Sequence, residues 1–185
     1  MYCSDSDMEI RNFFQLAWIN IMRATVDKKS DFKNVVVTSY SDNFPNSRIM
    51  ILRNADPYNK SFTFFTDCKS KKFNIIDKHP NGCLLFWDQS KRLQVCTKGK
   101  FKFCKNTSNL WNSIGEVSKK QYGSIPYPHT IIPNSYNFKS HVDKTRFTVL
   151  KFEAINFDIL QLSKISNKRA IFEQEQNWLG QWVVP

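Results

Sequence analysis

The chain has 185 residues, 41% of them hydrophobic and 15% aromatic, with a formal net charge of +11 at pH 7. That length supports one domain with a sizeable core, and that composition excludes an intrinsically disordered chain. No apolar run reaches the roughly 20 residues of a membrane-spanning helix, and the acidic start (Asp5, Asp7, Glu9) is unlike a secretory signal, so a cytoplasmic protein is expected.

The charge favours anionic partners: nucleic acid, a membrane surface or phosphorylated small molecules. The cations are scattered along the chain, whereas nucleic-acid binders concentrate them on one element. The expectation is a small phosphorylated ligand, with neither nucleic acid nor membrane as partner. The five cysteines (Cys3, Cys68, Cys83, Cys96, Cys104) are odd in number and include no CxxC pair. They read as free, mostly buried thiols, and structural zinc is not expected.

In chain order, residues 8–26 carry Ile10, Phe13, Phe14, Ala17, Trp18, Ile21 and Met22 at three- and four-residue steps, which predicts an amphipathic helix packed on the core. Val35–Val37 predict a strand, 41–47 a turn, 48–53 a second strand, 54–60 a turn and 61–66 a third strand, together an antiparallel meander. A helix follows over 69–79, stopped by Pro80, then a strand over 83–87. Residues 92–103 alternate, with Leu93, Val95, Thr97, Gly99, Phe101 and Phe103 on one face and Gln94, Cys96, Lys98, Lys100 and Lys102 on the other. A helix over 107–121, a proline-bearing loop over 123–140, a long strand or bent pair over 146–162 and a hairpin over 169–174 and 177–184 complete the chain. Long loops of this kind often cover a site. Short connections predict antiparallel pairing, and short strands wrapped by a few helices favour a closed barrel, here a single domain over 1–185.

Sequences diagnostic of a nucleophilic serine, a metalloprotease helix, a phosphate-binding Walker loop or a dinucleotide fold are absent, so an enzyme of this sequence would lean on a cofactor. The informative groups sit at strand ends. Arg48 and Arg53 are five apart on one strand, an odd offset that puts them on opposite faces unless a bulge intervenes. They would then hold two anions, or one anion and one salt-bridge partner. Thr66 through Lys72 join a strand to a helix. Three lysines at a helix start oppose the macrodipole unless an anion compensates, so Ser70, Lys71 and Lys72 point to a bound phosphate. Gln94 could hydrogen-bond the edge of a heterocycle.

In order and spacing, Ser47–Arg53, Phe64-Phe65-Thr66, Ser70-Lys71-Lys72, Leu84-Leu85-Phe86, Leu93-Gln94-Val95 and the terminal Arg169…Trp178…Pro185 resemble the pyridoxamine 5'-phosphate oxidase family. The resemblance implies a mainly β, six-stranded antiparallel split barrel flanked by helices. It also implies a homodimer with flavin mononucleotide (FMN) in two grooves at the interface. By motif match, Arg48, Lys71 and Lys72, with Ser70, bind the FMN phosphate. The backbone of Ile49, Met50, Ile51 and Leu52, with Phe65 and Thr66, lines the ribityl chain and ring. Gln94 meets the isoalloxazine edge, and Arg169 reaches the flavin from the second subunit. Arg53 matches a substrate-side cation.

Lys71 stands where the family usually has Arg, giving a point charge in place of a fork. Ile165 and Asn167 stand where pyridoxamine phosphate oxidases carry an Arg-x-His. Ser118, Lys119, Lys120 and Tyr122 are arranged unlike the family's grip on the substrate phosphate. The implied function is an FMN-dependent oxidoreductase acting on a small amine or alcohol, phosphorylated or not. The alternative is a non-catalytic flavin- or haem-binding redox or storage protein.

Overall fold

A computed structural model describes residues 5–41, 43–104 and 107–185. Helix α1 (Asp5–Val26) opens the chain with Asp5 and Asp7 in its first turn, where negative charge favours the helix dipole. Strands β1 (Asn34–Ser41) and β2 (Phe44–Ile51) form a hairpin, followed by β3 (Asn54–Asp56) and β4 (Ser61–Asp67). Helix α2 (Lys71–Lys78), strand β5 (Asn81–Asp88) and the long strand β6 (Leu93–Cys104) follow. Short helices α3 (Ser108–Ser113) and α4 (Glu116–Lys119) precede a loop, and β7 (Phe147–Ala154), β8 (Asn156–Gln161), β9 (Lys168–Glu173) and β10 (Gly180–Val183) close the chain.

Six strands make an antiparallel barrel in the order β2-β1-β5-β6-β7-β4. The seam between β2 and β4 is bridged by the Arg53 N–H donating to the Thr63 carbonyl at 2.9 Å. The barrel is split at β6. Gly99–Cys104 pair with β7, while Leu93–Cys96 pair with β8, which leads on to β9 and β10. Two bonds knit the fork: the Thr97 hydroxyl donates to the Asn156 carbonyl (2.6 Å), and the Lys98 N–H donates to Asn156 Oδ1 (2.8 Å). Gly99 is required there, because a Cβ would lie 2.1 Å from the Glu153 carbonyl oxygen.

The phenylalanine excess is core. Phe32, Phe62, Phe64, Phe86, Phe152, Phe157 and Phe172 are fully buried, each contributing on the order of 1.5–3 kcal/mol of apolar transfer. Helix α1 caps this core through Phe14 stacked on Phe172 (4.2 Å) and Trp18 stacked on Phe62 (5.5 Å).

Several expectations change. The meander over 35–66 is not formed: β1 sits between β2 and β5, and β4 pairs with β3 and β7. The turn expected over 41–47 is shorter, because Phe44–Ser47 belong to β2; Asp42 lies outside the described residues. As an edge strand paired to β1 alone, β2 tolerates Pro45. The helix expected over 107–121 is two pieces separated by Gly115, whose extended backbone (ψ 154°) breaks it. The segment 146–162 is the bent pair β7–β8. Cys68, Cys83, Cys96 and Cys104 are free but half-buried instead of buried, and Cys3 lies outside the described residues. Among the described residues, no helix is long and apolar enough to cross a membrane.

Candidate functional site

The rim of the barrel where β2, β4 and α2 meet gathers the cations. Arg48 is paired in register with buried Val37, so it lies on the barrel side of β2, and Ser39, also on that side, is buried. Its guanidinium donates to the Ser39 hydroxyl (2.9 and 3.0 Å) and to the carbonyl (2.6 Å) and side-chain oxygen (3.1 Å) of Asn46. These acceptors are neutral. Ser70 stands at the N-cap position of α2, but its hydroxyl donates to the Asp67 carbonyl (2.7 Å) and caps no helix N–H; Lys71 and Lys72 are the first two helical residues. A cavity of about 270 Å³ is walled by Arg48, Ser70, Lys71 and Lys72 with Asn46 and His129.

The electrostatics are lopsided. Neither Lys71 nor Lys72 makes an ion pair or hydrogen bond among the described residues. Burial, and then the neighbouring Arg48 charge, push the Lys72 ammonium below its ordinary value, with Asp67 opposing. Burial lowers Arg48 too. Asp67 does not neutralise the cluster, because it is already bound to Arg146. Arg146 Nε donates to Asp67 Oδ1 at 3.2 Å, its other donor reaches Oδ2, and both side chains are only 6% exposed. A group of cations without a free carboxylate, Arg48 and Lys72 half-buried and Lys71 exposed, suits an anion, and α2 adds its N-terminal dipole.

A second cavity, of about 280 Å³, continues along β2. It is lined by Arg48, Ile49, Met50, Ile51, Arg53 and Phe65, with Lys72 at the junction. Arg48 and Arg53 therefore share one cavity, contrary to the opposite-face expectation. β2 ends at Ile51, so the strand alternation no longer governs Arg53. Arg53 lies over the Phe65 ring (5.2 Å), and its Nε–H is buried without an acceptor. It also forms no salt bridge among the described residues. Leu52 does not line these cavities: its side chain is fully buried in the core, and its N–H donates to the Lys33 carbonyl (2.9 Å).

Phe65 and Lys72 also open on a third cavity, of about 510 Å³, with Thr66, Lys120, Tyr122 and His129 among its walls. Burial pushes the Tyr122 phenol up, opposed by the charge and hydrogen bond of Arg53. Lys120 and Tyr122 therefore reach the site, whereas Ser118 and Lys119 do not line it; Lys119 is paired with Glu116 (2.7 Å).

Gln94 and Arg169 are not part of these cavities. Register places Trp87, Gln94, Leu160 and Arg169 in one row across β5, β6, β8 and β9. The row lies on the sheet's outward face, the face that also carries Ile49. Arg169 is paired with Asp158 (Nε–Oδ1 2.9 Å), which raises its guanidinium. Sequence reasoning missed Asp67, Arg146 and His129. Residues 67 and 146 are too far apart for any local pattern to reveal their pairing, but the proline-bearing loop around His129 was a signal.

Residues 15–105 match the family model described as pyridoxamine 5'-phosphate oxidase, FMN-binding domain. The fold is similar to a pyridoxamine 5'-phosphate oxidase-related, FMN-binding protein from Nostoc punctiforme PCC 73102 (TM-score 0.74, 16% identity, 92% of this chain and 96% of that one). It is also similar to PhzG from Burkholderia lata 383, solved with tetrahydrophenazine-1-carboxylic acid (TM-score 0.70, 13% identity, 96% and 91%). A third similar structure is a general stress protein 26-related protein from Clostridium acetobutylicum (TM-score 0.57, 16% identity, 90% and 96%). The protein is thus a mainly β split barrel. Residues 15–105 thus match the FMN-binding domain of the pyridoxamine 5'-phosphate oxidase family, and the fold of the chain is similar to that of proteins related to it. The matched segment includes every expected site residue except Arg169.

Proposed function

We propose that the chain binds FMN and works as an FMN-dependent oxidoreductase on a small amine or alcohol. The observation that carries this reading is the cluster of Arg48, Lys71 and Lys72 around a cavity whose nearby carboxylate, Asp67, is held by Arg146. The residues fit the group. A phosphate would relieve the mutual repulsion of Arg48 and Lys72, and a ring oxygen or nitrogen would satisfy the buried Arg53 Nε–H. In this reading Arg48, Ser70, Lys71 and Lys72 hold the phosphate. The β2 backbone with Phe65 and Thr66 flanks the ribityl chain and ring, and Arg53 faces both cofactor and substrate.

The flavin would supply the hydride chemistry. The protein's part is positioning and exclusion of water. The 510 Å³ cavity beside Phe65 is large enough for a small substrate, and Lys120, Tyr122 and Arg53 give it a polar, positive side. No side chain is assigned as a general base.

A homodimer completes the site. The outward face carries Ile49 (68% exposed) and Trp87 (37% exposed) beside Gln94 and Arg169, an apolar surface suited to a second copy. Because Gln94 and Arg169 share one row, the copy that supplies one to its partner's flavin supplies the other.

The second reading, a non-catalytic flavin- or haem-binding redox or storage protein, draws on the region of Ile165 and Asn167. Ile165 is 99% exposed and carries no polar side-chain group, and Asn167 Oδ1 is taken by the Ser163 N–H (3.0 Å).

The test is an absorbance spectrum before and after loading with excess FMN and gel filtration. Flavin bands that survive filtration in the wild type and vanish in Lys71→Ala/Lys72→Ala support the site. A wild type that retains no flavin overturns it. Anaerobic bleaching of the bound flavin by an amine or alcohol, pyridoxamine phosphate first, then separates the enzyme from the storage protein.

A further inference from the structure

The loop between α4 and β7 is a strap with fixed feet. Ile125 and Lys139 exchange backbone hydrogen bonds (2.8 Å each), and the Asp143 N–H donates to the Tyr122 carbonyl (2.9 Å). One foot is tied to the Asp67–Arg146 pair, because Arg146 also donates to the Ser124 carbonyl (2.7 Å) and lies over the Tyr127 ring (5.1 Å). Lys69, at the start of the β4–α2 joint, covers the same ring (5.8 Å). Tyr127 is therefore held against the joint that carries Ser70, Lys71 and Lys72, and Pro126 and Pro128 stiffen the backbone on either side of it.

That clamp sets the position of His129, two residues on and joined to Tyr127 through Pro128. His129 lines the 270 Å³ cavity with Arg48, Lys71 and Lys72, and the 510 Å³ cavity with Lys72 and Tyr122. It is the one basic residue of the span 126–138, which contains no Asp or Glu. Its backbone is left-handed (φ 77°), an uncommon conformation for a non-glycine residue that histidine adopts more readily than most.

We propose that His129 is a further cofactor-binding residue: the strap carries its imidazole over the phosphate end of the groove, where it donates an N–H to a phosphate oxygen. The inference rests on the FMN reading above. It also accounts for a deficit in that reading. Lys71 offers a point charge, and Arg48 already spends donors on Ser39 and Asn46, so a directional donor from the open side completes the phosphate's coordination.

The test compares two ligands that differ by the phosphate alone. Dissociation constants for FMN and riboflavin are measured by flavin fluorescence quenching in the wild type, His129→Gly and His129→Ala. Glycine adopts the left-handed backbone freely, so His129→Gly removes the imidazole without disturbing the strap. The expected result is a roughly tenfold weaker FMN affinity in both variants, the worth of one charge-assisted hydrogen bond, with riboflavin affinity changed less than about twofold. Unchanged FMN affinity in His129→Gly overturns the proposal, as does an equal loss for both flavins, which would report the shape of the strap. A wild type that binds neither flavin overturns the FMN reading itself, so the two failures are distinguishable.

Discussion

The two ends of the expected flavin site are built differently. At the rim, Arg48, Lys71 and Lys72 meet neutral oxygens or nothing, and the neighbouring carboxylate is occupied by Arg146. On the outward sheet face, Arg169 has its own carboxylate in Asp158, at 2.9 Å. The first arrangement is poised for an anion and the second is neutral as it stands. The difference teaches where charge recognition can reside: a cation with a fixed carboxylate orients, whereas a cluster without one binds.

The largest effect should come from disturbing what keeps the rim unneutralised. Asp67→Asn leaves Arg146 buried and uncompensated, a loss of about 3–5 kcal/mol. Thermal or denaturant unfolding should register it as a lower midpoint without a change in denaturant slope. Arg146→Met tests the converse. It frees Asp67, which already opposes the depression of Lys72, to neutralise that lysine. FMN affinity should then fall even in molecules that remain folded. Undiminished affinity in Arg146→Met would break the contrast between the two ends.

Next in size is direct removal of the rim charge. Lys71→Ala/Lys72→Ala should cost about 3 kcal/mol in FMN binding, a hundredfold or more, with little effect on riboflavin. Arg169→Ala should cost less, about fivefold to tenfold, because its charge is already spent on Asp158. If Arg169 acts on the partner's flavin, mixing Lys72→Ala protomers with Arg169→Ala protomers should restore tight binding in a fraction of the sites, measurable by equilibrium titration. Uniformly weak binding in the mixture would place Arg169 outside the flavin site.

The sequence carried more of the rim than of the surroundings that make it work. Alternation along Leu93–Phe103 and the helical spacing from Ile10 to Met22 are local, and both elements form where that periodicity lies. The lysine-bearing start of α2 was legible because it contradicts the helix dipole. Pairings across long separations were not legible. The β4–β7 ladder and the Asp67–Arg146 pair join residues about eighty positions apart, and their sequence windows are silent about it. The meander failed for the same reason, since short connections suggest neighbours but do not decide which strand closes a barrel. Gln94 and Arg169 could be named from motif order, but only the ladders put them in one row on the face away from Arg48.

The smallest expected effect sharpens the comparison through pH. Asp88, at the end of β5 in the same sheet as the Gln94 row, is another carboxylate held by its own partners. Burial alone would raise it. The Lys91 ammonium, the Ser90 hydroxyl and the Lys91 N–H donate to it at 2.9, 2.7 and 2.8 Å and together lower it to about 2. Its folded value is thus below the ordinary 3.8, and the folded state holds the proton less tightly than the unfolded chain. The stability it contributes, on the order of 1–2 kcal/mol, is present above pH about 4 and fades as pH falls toward 2. Denaturant unfolding from pH 5 to pH 2.5 should therefore show a smaller acid loss in Asp88→Asn than in the wild type. Identical slopes would mean that this turn does not store its charge pairing as stability, and the contrast between paired sheet and unpaired rim would then rest on Arg169 and Asp158 alone.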